Sequence, residues 1–185
     1  MEEGCPYVSR GGLKLAAALE AIPLSVQGLT CADLGCSTGG FTDCLLQQGA
    51  ARVYSVDTAY GQFAWKLRQD KRVTLLERTN ALHMNPWKPE RRCKGLADFA
   101  GVDWVVIDLG WTKQKLAIPA AVRWLRQDDA GDAVANPSRG IITLIKPQYE
   151  APPGMVHGKA GGYFERCADH RSGGTGAGPN ARLGD

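Results

Sequence analysis

No stretch of the 185 residues approaches the ~20 consecutive apolar residues needed to cross a bilayer, and Met1 to Pro6 carry two glutamates and no apolar run. A membrane-spanning chain or one with an export signal is therefore not expected, and the sequence reads as soluble. Charge of one sign is also scarce in excess: 22 Lys and Arg stand against 19 Asp and Glu, a net +3 that permits a polyanionic partner without demanding one. Histidine is rare, with three residues, and none of the six cysteines forms a Cys-x-x-Cys pair. The spacing of a tetrahedral zinc site is absent, so Cys167, His157 and His170 are not expected to bind metal, and reduced thiols in a cytoplasmic setting are the default.

What is present is an apolar fraction of 44%, enough for one buried core in a chain of this length. Continuous apolar runs alternate with helix-like segments. Thr30–Leu34, Arg52–Asp57, Val73–Leu76, Val102–Asp108 and Gly140–Pro147 read as strands, the last stopped by its own proline. The intervening helices are predicted at Gly11–Glu20 with Ser9 as cap, at Phe41–Gln48, at Gly61–Arg68 and at about Leu116–Arg126. Apolar strands alternating with helices imply a doubly wound, mainly parallel sheet covered on both faces. The pattern fails beyond Ala151, and a domain over 1–165 followed by a glycine-rich, flexible tail over 166–185 is expected.

In such a sheet ligands bind beyond the carboxyl ends of the strands. The first strand ends in Asp33-Leu34-Gly35-Cys36-Ser37-Thr38-Gly39-Gly40-Phe41-Thr42, where three glycines let the chain turn tightly and approach a ligand. Asp57, at the end of the second strand, can accept hydrogen bonds from ribose hydroxyls. A nicotinamide loop requires glycine where Ser37 stands. A Walker loop fails because Gly154 to Lys159 has the wrong spacing and Ala160 replaces the hydroxyl. The loop favours S-adenosyl-L-methionine, which has no pyrophosphate to cradle. A rival remains, since Gly35-x-Ser37-x-Gly39 also spells the nucleophile elbow of serine hydrolases. It lacks an obvious triad histidine among His83, His157 and His170.

Several separated blocks carry a more specific resemblance: Tyr7 to Leu15, Gly35 to Leu46, Asp57 to Leu67, Glu77-Arg78-Thr79-Asn80, Val106-Ile107-Asp108 and Ile145 to Glu150. In this order they resemble the TlyA-type, haemolysin A-like branch of the FtsJ ribosomal RNA 2′-O-methyltransferases. The resemblance implies a Rossmann-like methyltransferase fold, S-adenosyl-L-methionine as cofactor, and ribosomal RNA or ribosomal subunits as partner. It places three members of a catalytic Lys-Asp-Lys-Glu tetrad on Lys14, Asp108 and Lys146. The cofactor side is expected at Asp33, Gly35, Ser37, Gly39, Gly40, Phe41, Asp57, Asn80 and Asp108. The fourth tetrad residue has no counterpart, although the segment before it survives as Gly158-Lys159-Ala160-Gly161-Gly162. The family's RNA-binding domain in front and its last strands are likewise not expected, which leaves a catalytically degenerate relative as an alternative. Leu109-Gly110-Trp111-Thr112-Lys113 departs from the family's serine- and phenylalanine-containing loop. Between Lys66 and Lys94 nine basic residues face three acidic ones, a candidate phosphate-contacting surface.

Overall fold

The computed structural model describes residues 4–22, 24–89, 93–127 and 139–151. The elements run α1 (Gly11–Ala21), β1 (Thr30–Leu34), α2 (Gly40–Gln47), β2 (Arg52–Val56), α3 (Trp65–Arg68), β3 (Val73–Leu76), β4 (Trp104–Ile107), α4 (Gln114–Val122), β5 (Gly140–Thr143) and α5 (Pro147–Glu150). The five strands form one sheet in the order β3-β2-β1-β4-β5. Every pairing is parallel, with Asp33 opposite Ser55 on one side and Val106 on the other.

Side-chain alternation divides the core between the two faces of the sheet. Cys31, Val53, Trp104 and Val106 pack with Leu15, Phe41, Leu45 and Leu67 on the face covered by α1, α2 and α3. Ala32, Leu34, Tyr54, Val56, Val105 and Ile107 pack with Ala117, Ala121 and Trp124 on the opposite face. Both faces are apolar because both carry helices, which is why the strands read as unbroken hydrophobic runs rather than alternating ones. Tyr54, Phe99 and Trp124 add edge-on ring contacts, with centroids 5.3 Å apart for Tyr54–Phe99 and 5.5 Å for Phe99–Trp124.

Four local expectations are corrected. The helix predicted over Gly61–Arg68 shrinks to Trp65–Arg68, because the Gly61 N–H donates to Glu77 Oε1 at 2.8 Å and the Ala64 N–H donates to Thr38 O at 3.0 Å. Those bonds tie the segment to β3 and to the glycine loop instead of to itself. Ser9 is not the cap of α1: Arg10 holds that position and its side chain makes no capping bond. The fourth helix begins two residues early and ends at Val122, since Trp124 to Arg126 run against Val102 through Val102 N–H to Trp124 O and Arg126 N–H to Val102 O. The fifth strand ends at Thr143, well before the proline expected to stop it; Pro147 instead opens α5, where its missing N–H costs no helical bond. Among the described residues no helix is long and apolar enough to cross a membrane. The expected boundary at 165, the tail, the 158–162 segment, His157, Cys167 and His170 lie outside the described residues.

Candidate functional site

Strand order reverses at β1, whose neighbours β2 and β4 connect in opposite directions, and the crevice at their carboxyl ends holds the site. Gly35 leaves β1 at φ +91°, and a Cβ there would lie 2.6 Å from the Asp108 carbonyl oxygen at the end of β4. Only glycine lets the two loops pass at this distance. Gly35 and Cys36 donate their N–H groups to Val56 O, and Ser37 follows at φ +47°. Asp57 holds that strained turn: its Oδ2 accepts the Ser37 N–H at 2.7 Å, and its Oδ1 accepts the Ala59 N–H at 2.8 Å.

Above the loop lies a cavity of about 600 Å³ lined by Tyr7, Ser9, Lys14, Gly35, Ser37, Gly40, Phe41 and Asp108, among others. This volume falls within the range of roughly 300–1,000 Å³ typical of small-molecule sites. Helix α1 forms one wall because it crosses the start of α2 closely: a Cβ on Gly40 would stand 2.9 Å from the Gly12 nitrogen. Cys36 also lines the cavity, but burial pushes its thiol pKa far up, so it remains a neutral thiol.

Two of the three expected catalytic residues line this cavity, and the third, Lys146, is paired with one of them. Lys14 and Asp108 line the same cavity. Lys146 Nζ lies 2.6 Å from Asp108 Oδ1, and the two side chains are 25% and 23% exposed. The Lys146 ammonium also reaches Leu109 O at 3.4 Å. A partly exposed ion pair of this kind is accessible to a substrate while still held against the fold.

Other expected residues sit differently. Asp33 is wholly buried beneath the loop rather than in the cavity, and its Oδ2 accepts the Thr42 hydroxyl at 2.7 Å. Thr42 in turn lies 2.7 Å from the Ser55 hydroxyl, so the three groups join β1, α2 and β2. Asp33 Oδ1 has no hydrogen-bond partner among the described residues. Burial raises the Asp33 carboxyl to about 7, opposed by the Thr42 bonds and reinforced by the nearby charges of Asp108 and Asp57. Its expected role as a direct ligand contact is thus replaced by one underneath the loop. Gly39 does not line the cavity and packs against Leu67 and Phe63. Asn80 is exposed after β3, and its Oδ1 accepts the Leu82 N–H at 2.9 Å as a turn acceptor.

The run of basic residues is not a continuous free surface. Lys66 pairs with Asp43 at 2.9 Å, Arg68 with Glu77, and Arg72 with Asp70 at 2.7 Å, while Arg78 lies over the Tyr60 ring. Arg91 and Arg92 lie outside the described residues. The serine-hydrolase alternative finds no support either, since no imidazole is hydrogen-bonded to Ser37 among the described residues. Residue-level reasoning missed an aromatic pair: Trp111, at φ +60° and 85% exposed, lies against Tyr149 with centroids 5.3 Å apart and the rings tilted by 42°. A tryptophan in a loop after a strand-end acid was the available signal.

A parallel sheet in this order, with a glycine loop clamped by the acid of the second strand and a Lys-Asp pair at the switch point, defines a doubly wound α/β domain of the methyltransferase type. The model of the FtsJ-like methyltransferase family matches residues 7–169. The 16S/23S rRNA (cytidine-2'-O)-methyltransferase TlyA of Mycobacterium tuberculosis is 43% identical over 150 residues, covering 81% of this chain and 49% of that protein. Hemolysin A of Brachyspira hyodysenteriae is 37% identical over 150 residues, covering 81% and 55%. A solved structure of a hemolysin-like protein from Streptococcus thermophilus superposes with a TM-score of 0.70 at 36% identity, covering 85% of this chain and 50% of that one. The chain belongs to the FtsJ-like methyltransferase family. It spans about half the length of the curated relatives it matches.

Proposed function

We propose that the chain is an S-adenosyl-L-methionine-dependent RNA methyltransferase of the cytoplasm, transferring a methyl group to a ribose 2′-hydroxyl of ribosomal RNA. The observation that carries this reading is the Lys146–Asp108 pair at 2.6 Å beside a cavity shared by Asp108, Lys14 and the glycine loop. The residues present fit the cofactor. The cavity is large enough, its floor is backbone held open by Gly35, and Asp57 retains lone pairs for ribose hydroxyls beyond those given to Ser37 and Ala59. Gly35, Ser37, Gly40 and Phe41 would hold its adenosyl and methionine portions, with Asp57 on the ribose and Asn80 near the adenine.

When bound, the cofactor supplies a methyl group already activated on a positively charged sulfur. The protein's task is to place a poor oxygen nucleophile in line with that methyl, at about 3–3.5 Å. Lys146, fixed by Asp108, donates an N–H to one lone pair of the 2′-oxygen and leaves the other directed at the methyl group. Lys14, on α1, approaches from the opposite wall. The hydroxyl proton, which the Lys146 ammonium cannot take, would pass to solvent water as the oxygen is methylated; such steering contributes roughly 10²- to 10⁴-fold. The tilted Trp111–Tyr149 pair lies on segments adjoining Asp108 and Lys146, where the exposed Trp111 ring offers a stacking face to an unpaired base.

The test is transfer of isotopically labelled methyl groups to ribosomal subunits, with nuclease digestion to locate the product. The wild-type chain is expected to label a 2′-O-methylated nucleotide and Lys146→Ala to lose at least about 100-fold in rate. Full transfer by Lys146→Ala would overturn the assignment.

A further inference from the structure

We infer that Gln114 and Glu150 form a clasp that sets the geometry of the Asp108–Lys146 pair, making both of them positioning residues for methyl transfer. The inference rests on the functional reading above. Asp108 and Lys146 leave neighbouring parallel strands, β4 and β5, whose last paired residues are Ile107 and Thr143. One more backbone bond follows, from Leu144 N–H to Ile107 O at 2.9 Å. Beyond it, among the described residues, no backbone bond joins the two segments, yet the carboxylate one residue on and the ammonium two residues on must meet.

Gln114 bridges that gap from the first position of α4. Its Oε1 accepts the Thr143 hydroxyl at 2.8 Å, and its Nε2 reaches Leu144 O at 3.4 Å. Its backbone N–H donates to Glu150 Oε1 at 2.6 Å. One residue thus grips the chain on both sides of Lys146, before it at Thr143 and Leu144 and after it at Glu150. The Lys146 ammonium adds its own contact to Leu109 O, on the other segment.

The chemistry explains why Glu150 is suited to the position. The first N–H groups of a helix have no partner within the helix. Lys113, the residue before α4, offers no side-chain cap. A carboxylate brought from α5 satisfies one of these donors and complements the positive end of the helix. Trp111, tilted by 42° against the Tyr149 ring, joins the same two segments again. A cap needed only for the stability of α4 would act through melting temperature alone. A clasp acts on the pair.

Three variants of the whole chain test it: Glu150→Ala, Glu150→Gln and Gln114→Ala. Neither residue lines the cavity, so the cofactor dissociation constant measured by calorimetry is expected to stay within about twofold in all three. The turnover number for ribosomal RNA is expected to fall about 10- to 100-fold in Glu150→Ala and Gln114→Ala, through loss of alignment. Glu150→Gln, whose amide oxygen still accepts the Gln114 N–H, should recover most of the wild-type rate. A second readout needs neither cofactor nor RNA. The Lys146 ammonium signal in nitrogen-detected NMR should show slowed hydrogen exchange in the wild type and in Glu150→Gln, and faster exchange in Glu150→Ala. An unchanged Lys146 signal in Glu150→Ala would overturn the clasp. So would cofactor affinity that falls in step with turnover, or equal loss in the Ala and Gln variants. If the wild type methylates no RNA, the functional reading fails and the ammonium signal alone decides the clasp. If Glu150→Ala does not fold, the comparison of Gln114→Ala with Glu150→Gln decides it in the same way.

Discussion

The Asp33→Asn substitution should change how stability depends on pH in a direction opposite to that of most carboxylates. Asp33 is wholly buried, with one oxygen bonded to Thr42 and the other without a partner among the described residues. Burial raises its carboxyl from 3.8 to about 7 in the folded chain. Below pH 4 the folded and unfolded forms are both protonated and this group does not favour either by charge. Between pH 4 and 7 the unfolded form releases its proton while the folded form keeps it, so stability falls as pH rises. Above pH 7 both are ionised and the loss is complete, about 4 kcal/mol for a rise of this size. In Asp33→Asn the amide keeps an oxygen for the Thr42 hydroxyl and does not titrate. Urea unfolding of both chains from pH 4 to 8.5 isolates the effect as a difference. Asp70 and Glu77, whose carboxyls are held low by Arg72 and Arg68, act with the opposite sign but equally in both chains. The wild type is expected to lose up to about 4 kcal/mol relative to the Asp33→Asn variant across this range. Parallel profiles would refute the assignment of a buried, proton-retaining carboxyl.

Other expectations follow from single contacts. Gly35→Ala places a Cβ 2.6 Å from the Asp108 carbonyl oxygen on a residue at φ +91°, and should destabilise the chain by about 2–4 kcal/mol in denaturant unfolding while widening the gap between β1 and β4. Glu77→Gln removes a carboxylate that accepts from Gly61 and pairs with Arg68. Because that carboxyl is held low, its stabilisation is lost as pH falls through the folded value, so the acid limb of unfolding should flatten in the variant. Trp111→Ala should weaken RNA binding by about 1–3 kcal/mol, the worth of one stacked base, without altering cofactor affinity, which filter binding and calorimetry separate.

Much of the fold was legible because the strands are short and apolar, with β1, β2 and β4 buried almost throughout, and all five lie within the apolar runs of the sequence. The loop from Gly35 to Phe41 announced itself by glycines that the structure requires for close backbone approach. The helix over Gly61-Gln62-Phe63-Ala64 was illegible because its competitors are distant in sequence: Glu77 and Thr38 take the N–H groups a helix would have used. Asp33 shows the same limit at the site. A strand-end acid and a buried acid look alike in sequence, and only the position of Thr42 and Ser55 tells them apart. The pairing of Asp108 with Lys146 followed from resemblance, since each alone reads as an ordinary strand-end charge. Gln114 and Glu150, 36 residues apart, carry no signal at all until β4 and β5 bring them together.

The most direct test of the central claim is calorimetric titration of the folded chain with S-adenosyl-L-methionine, run beside Asp57→Ala. One-to-one binding that weakens about 10- to 100-fold in the variant, from loss of two backbone acceptors and of the proposed ribose contact, is the expected result. No binding by the folded wild type, or equal affinity in the variant, would contradict the account of this cavity as the cofactor site.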